Sequence, residues 1–138
     1  MTKDETLKVL AILKAAYPSS YNGMTKREAN GTVAVWCMQF ADMPGDIVLM
    51  AVYKLISTNK FPPSISEVKD KIQSIHWEAY EVLRENKWDK SLPAETLAQY
   101  QRIYDLTMPF KMTGKDEPSI SRMLTNGQML QLGSGQGD

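Results

Sequence analysis

Two consecutive prolines, Pro62 and Pro63, divide this chain into helix before them and helix after them. Neither can donate a backbone hydrogen bond, and each fixes its own φ, so no helix runs through this point. Asn59, which tolerates a left-handed backbone, stands where the incoming helix must stop. Ser64 followed by Glu67 is a capping box: the hydroxyl accepts from a free amide of the first turn, and the carboxylate reaches back to the amide of Ser64. A new helix therefore starts at Ile65. On the simplest reading the corner only packs two helices together, with Phe61 as a plug in the core.

The same grammar recurs upstream. Thr2 with Glu5 and Thr25 with Glu28 are both at capping-box spacing. In the first helix Leu7, Leu10 and Leu13 fall near one face, widened by Val9 and Ile12, and Tyr17-Pro18 closes it. In the second, Val33, Trp36, Cys37 and Phe40 recur at three and four residues, the period of a buried stripe. Asp42 is placed to cap a third helix, entered through Met43-Pro44 and running to about Ser57. That helix is apolar around much of its circumference, from Ile47 to Val52 and at Leu55 and Ile56, which predicts a central element surrounded by the others. The expected fold is all-α: a bundle of four to five helices with a long fourth helix and a flexible C-terminal tail.

These residues resemble a known family, the replicative-helicase loaders and inhibitors of Gram-positive siphophages. The resemblance rests on Ala16-Tyr17-Pro18 after the first helix, Trp36 and Phe40 in the second, and Asp42 and Pro44 before the third. It continues through Ala51 and Ile56 to the string Asn59-Lys60-Phe61-Pro62-Pro63-Ser64-Ile65, then Glu67-Val68 and Ile72. It covers about the first half of the chain. Gly45-Asp46 departs from the pattern, where a larger residue is expected, and so does the long helical stretch after Ile72.

Composition sets the outer bounds. A chain of 138 residues supports one core with appendages. With 16 basic and 16 acidic residues the formal net charge is zero, and the densest basic cluster is only Lys26-Arg27, with Lys3, Lys8 and Lys14 elsewhere. A protein that grips phosphates shows a basic stripe; this one does not, so any connection to DNA runs through a protein partner. No apolar run reaches the ~18 residues of a membrane span, and MTKDETLKV lacks the form of a signal peptide. A single cysteine, Cys37, forms no internal disulfide, which fits a reducing compartment; the resemblance implies that this is the host bacterial cytoplasm.

Catalytic groups are scarce, and a non-enzyme without cofactor or metal is expected. Cys37 reads as an inert thiol in the apolar stripe. His76 sits one step off the stripe of Val68, Ile72, Ile75 and Ala79 and reads as a boundary side chain, with no partner in sequence for a metal. Asp42 and Asp46, four apart, suit capping and the helix dipole better than acid-base chemistry. Gly133-Ser134-Gly135-Gln136-Gly137 has no preceding strand and no following lysine, so it is not a phosphate loop. A loader built this way does not itself hydrolyse ATP.

The fourth helix has no breaker from Ile65 to about Asn86, roughly 30 Å at 1.5 Å per residue, and is expected to project past the first three. Trp77, Tyr80, Arg84 and Trp88 form a row along it, the composition of a binding surface. The alternative, favoured by period, is that the row docks a fifth helix started by Pro93 and offering Leu97, Tyr100, Ile103 and Tyr104. Residues 1–88 thus form a helical domain, 89–110 an additional helix and 111–138 a tail. In the tail no aromatic follows Phe110, and five of the eight glycines are found there. Two apolar clusters, Ser119 to Leu124 and Met129 to Leu132, flank the turn pair Asn126-Gly127. Methionine and leucine clusters of this kind suit docking into a partner's groove.

By resemblance, the chain is expected to bind a hexameric DnaB-type replicative helicase, hold it in check, and deliver it to an origin marked by a replisome organiser. Met123, Leu124, Met129, Leu130 and Leu132 are the expected helicase contacts, followed by Trp77, Arg84 and Trp88. Two other readings stay open. One is a helical DNA-binding adaptor reading DNA with Ser66, Glu67, Lys69, Asp70 and Gln73; the other is a phage inhibitor of a host replication factor.

Overall fold

The computed structural model describes residues 1–110. Within them the chain is entirely helical: α1 (Lys3–Ala16), α2 (Pro18–Tyr21), α3 (Lys26–Gln39), α4 (Gly45–Ile56), α5 (Ile65–Asp89), α6 (Ala94–Leu106) and a closing 3₁₀ turn (Met108–Phe110). All three expected capping boxes are formed, on Thr2, Thr25 and Ser64, each with both reciprocal hydrogen bonds. These caps satisfy amides that have no partner inside their own helix. The single turn α2 adds to the expected helices; Pro18 ends α1 and, as a residue suited to a first turn, starts α2.

Packing runs pairwise: α3 on α1, α1 on α4, α4 on α5, and α5 on α6. As expected, α4 is the central element; Ile47, Val48, Ala51 and Val52 have no exposed surface. The stripe of α5 is also as expected, with Val68, Ile72, Ile75 and Ala79 buried.

The stripe of α1 is rotated from the expected one. Thr6, Val9, Leu13 and Tyr17 face the core, while Leu7 is 45% exposed and Leu10 half-buried. A threonine is accepted inside because its side chain can bond within its own helix. The Thr6 hydroxyl donates to the Thr2 carbonyl at 2.7 Å. In α3, Trp36 and Phe40 are buried, but Val33 and Cys37 are only half-buried, so Cys37 lies at the core margin with its Sγ 3.6 Å from the Met1 carbonyl.

Asp42 does not cap the third long helix. The N-cap of α4 is Pro44, without a side-chain bond, and the first turn is served from outside by Glu5 of α1. The Glu5 carboxylate accepts from the Thr2 amide at 2.8 Å and lies against the Gly45 amide. These hydrogen bonds, Thr2's foremost, hold it below its ordinary pKa. A Cβ on residue 45 would stand 2.6 Å from Glu5 Cδ, which explains the glycine where a larger residue is expected.

His76 is fully buried, not a boundary side chain. Its ring stacks on Tyr104 of α6 with centroids 4.6 Å apart, and its Nδ1 lies 2.8 Å from the Thr107 hydroxyl. That hydroxyl donates to the Ile103 carbonyl at 2.6 Å. It therefore accepts from Nδ1–H. Phe110 then closes the described chain against Phe40, with centroids 6.0 Å apart.

Candidate interaction surface

The corner between α4 and α5 is fixed from three sides. The Tyr17 hydroxyl donates to the Asn59 carbonyl at 2.9 Å, Pro63 is buried, and the Ser64 hydroxyl accepts from the Glu67 amide at 3.1 Å while Glu67 accepts from the Ser64 amide at 2.9 Å. Asn59 does not use a left-handed backbone; among the described non-glycine residues positive φ occurs at Lys90. Phe61 is no core plug. It is 71% exposed, with the Lys60 ammonium 5.9 Å from its ring centre. Sequence pattern alone does not reveal this, because a proline corner fixes backbone direction and not the side on which the neighbouring body lies.

Trp77, Arg84 and Trp88 are separated by burial. Trp77 is 7% exposed, edge-on to His76 and Tyr80, so it presents little surface. Arg84 is on the surface, paired with Glu81 at 2.6 Å, and Trp88 is 86% exposed. The fifth expected helix, α6, does pack on α5, but beside this row. Ile75, Ala79, Val82 and Asn86 line the hollows between the two helices. On a wheel of 3.6 residues per turn, Trp77, Arg84 and Trp88 point away from those hollows. Tyr104 bridges the two regions by reaching His76 and Tyr80.

The turn into α6 is held by α5 itself. Lys90 is in the left-handed region at φ 51° and donates its amide to the Asn86 carbonyl, as at many helix ends. The Asn86 side chain accepts from the Leu92 amide at 3.2 Å. None of the residues of α6 is fully buried, but Ile103 packs against the core, Tyr104 stacks on His76, and an exposed ion pair from Arg102 to Asp46 at 2.9 Å joins the helix to α4. The burial lies just past its end, at Thr107 and Phe110.

Met123, Leu124, Met129, Leu130 and Leu132 lie outside the described residues. Of the residues expected to read DNA, Gln73 is buried and Lys69 is engaged, bonding Gln39 and lying 5.7 Å from the Phe110 ring centre. Among the described residues no three His, Cys, Asp or Glu side chains stand together as a metal site, and no helix is long and apolar enough to cross a membrane.

The residues that carry the family resemblance are mostly those that build this fold: Tyr17, Trp36, Phe40, Ala51, Val68 and Ile72 are buried, and Asn59 and Glu67 fix the corner. A family model for the N-terminal domain of the phage SPP1 helicase loader and inhibitor protein matches residues 1–69, half of the chain. The match runs from α1 through the corner into the first turns of α5. No curated protein and no solved structure matches the chain. With the family's N-terminal domain spanning every element up to the corner, this chain belongs to the phage helicase loader and inhibitor family.

Proposed function

We propose that this chain is a phage replication accessory protein that binds a hexameric replicative helicase, restrains it, and delivers it to an origin marked by a bound replisome organiser. The observation that carries this reading is the family match over residues 1–69, together with a corner whose hydrogen bonds use the residues of that match. The role is that of an adaptor. The helical body meets one protein partner, and the segment after Phe110 meets the helicase through Met123, Leu124, Met129, Leu130 and Leu132. Arg84 and Trp88, both at the surface, are second contacts. Two modules on one chain raise each other's effective concentration, so neither contact has to be tight.

A direct DNA reader is less well supported. The face expected for it includes a buried Gln73 and a Lys69 that is already engaged, and the chain has no net charge to attract phosphates. Light scattering of chromatographed mixtures with the helicase, for the full chain and for a chain ending at Phe110, tests the adaptor role. A complex formed by the full chain alone supports it. A salt-sensitive DNA shift by the isolated protein, without helicase binding, supports the DNA reader instead.

A further inference from the structure

The rotation of α1 leaves an uncovered seat between α1 and α3. Leu7 and Leu10 from α1, Val33 from α3, and Tyr21 and Met24 from the connection line a groove of about 310 Å³. Leu7, Leu10 and Lys14, with Ala11, are spaced as one face of a helix, and Ala29, Thr32 and Val33 are spaced as the facing edge. Leu7 and Met24 are 45% and 37% exposed, large apolar side chains that the fold leaves in water. Two ridges with an apolar floor form the geometry in which an amphipathic helix lays its apolar face.

The charge around this seat is mainly positive. Among the described residues lining it, Lys14 is charged and no carboxylate takes part; on the exposed positions after Met24, Lys26 and Arg27 stand beside Glu28, whose carboxylate accepts from the Thr25 amide. The Tyr21 phenol belongs to the groove, and burial raises its pKa, so at neutral pH it remains a hydrogen-bond donor. Apolar floor, cationic edge and phenolic donor together select an apolar ligand with carboxylates beside it. The chain's own residues 119–132 do not meet that description: their sole charged side chain is Arg122, of the same sign as Lys14.

We propose that the α1–α3 groove is the docking site for an acidic amphipathic helix of a partner protein, with leucine-like side chains placed between Leu7, Met24 and Val33 and carboxylates at Lys14. This rests on the reading that the helical body meets a protein partner, and it assigns that contact a location and a chemistry. The groove is lined by α1, α3 and the segment between them, whereas Arg84 and Trp88 belong to α5.

The test uses the full chain labelled for amide NMR and a synthetic amphipathic peptide of about four helical turns, leucines on one face and glutamates on the other. Saturable shifts are expected at Leu7, Lys14, Tyr21, Met24 and Val33. A charge-reversed twin carrying lysines should bind at least about five-fold more weakly, and Lys14→Glu should invert that preference, since opposed and like-charged contacts shift affinity by such factors. Met24→Ala, at an exposed position, supplies a second variant whose fold is checked by thermal unfolding, and it is expected to weaken the acidic peptide. Equal affinity for the two peptides, shifts confined to other elements, or no saturable shift overturns the assignment. So does displacement of the acidic peptide by a peptide of residues 119–132, or a dimer of the protein alone that Met24→Ala dissolves. Helicase binding by Lys14→Glu, measured separately, is expected to persist; a failed peptide titration beside an intact helicase complex therefore refutes the groove and not the helicase reading.

Discussion

The Tyr17 hydroxyl donates to the carbonyl of Asn59 at 2.9 Å, joining the end of α1 to a corner 42 residues further on. The bond is partly buried, and Tyr17 itself is 9% exposed. It makes the angle between α4 and α5 a property of the whole body and not of the prolines alone. Tyr17→Phe keeps the ring and removes the donor, so urea unfolding is expected to show a loss of ~1 kcal/mol. Tyr17→Ala, which also opens a hole in the core, is expected to cost about 3–5 kcal/mol. Equal stability of wild type and Tyr17→Phe would show that the bond contributes nothing.

Gly45→Ala forces a methyl group into Glu5, 2.6 Å from Cδ and 2.8 Å from Cβ. The base of a side chain is involved as well as its tip, so relief requires a shift of α1 or loss of the Glu5 contacts. Overpacking of this kind costs about 1–3 kcal/mol. In a Glu5→Ala background, which removes Cδ and the carboxylate but keeps the Cβ at 2.8 Å, part of this cost is expected to disappear, and a double-mutant cycle measures that part. Additivity of the two changes would contradict the clash.

Glu5 also predicts the direction of an acid effect. Its pKa in the folded state lies below the ordinary 4.5, with the hydrogen bond from the Thr2 amide as the largest cause. A carboxylate with a lowered pKa stabilises the fold above its unfolded pKa. That contribution is lost as pH falls from about 4.5 through the folded value. Thermal unfolding of Glu5→Gln, followed from neutral pH down into the acid range below that value, is expected to show a shallower fall than wild type; parallel curves would exclude a role for this group.

Phe61 and Phe110 are expected to behave oppositely, although each adjoins a proline in a short irregular segment. Phe61 is 71% exposed, and Phe110 is 8% exposed and in contact with Phe40. Phe61→Ser should change stability by no more than about 0.5 kcal/mol, as surface substitutions do. Phe110→Ala should cost about 3–5 kcal/mol, as for an aromatic side chain removed from a core. Calorimetry on the two variants distinguishes them, and a large effect at Phe61 with none at Phe110 would reverse the assignment of core and surface.

That pair also marks how far the sequence is legible. Helix starts are readable because a capping box is a local signal four residues long, and Thr2, Thr25 and Ser64 all use it. The centrality of α4 is readable because its apolar residues encircle the helix. Burial at positions off a stripe is not: Tyr104 and Thr107, far along the chain, pack over His76. The phase of α1 escapes the pattern because three leucines outweigh Thr6, whose hydroxyl is satisfied within its own helix. The groove between α1 and α3 is therefore visible only once the two helices are placed together. The row at Trp77, Arg84 and Trp88 is legible as a period but not as one continuous surface, since Trp77 is buried while Arg84 and Trp88 are exposed.

The measurement that bears most directly on the proposed role is chromatography with light scattering of this chain mixed with the DnaB-type helicase, with and without ATP, for the full chain and a version ending at Phe110. Retaining Phe110 keeps the contact to Phe40, and thermal unfolding of the shorter chain beside the full one checks that it is folded. A helicase complex with the full chain that disappears on truncation is the predicted result. No complex in either nucleotide condition, from a folded full chain, would contradict helicase binding.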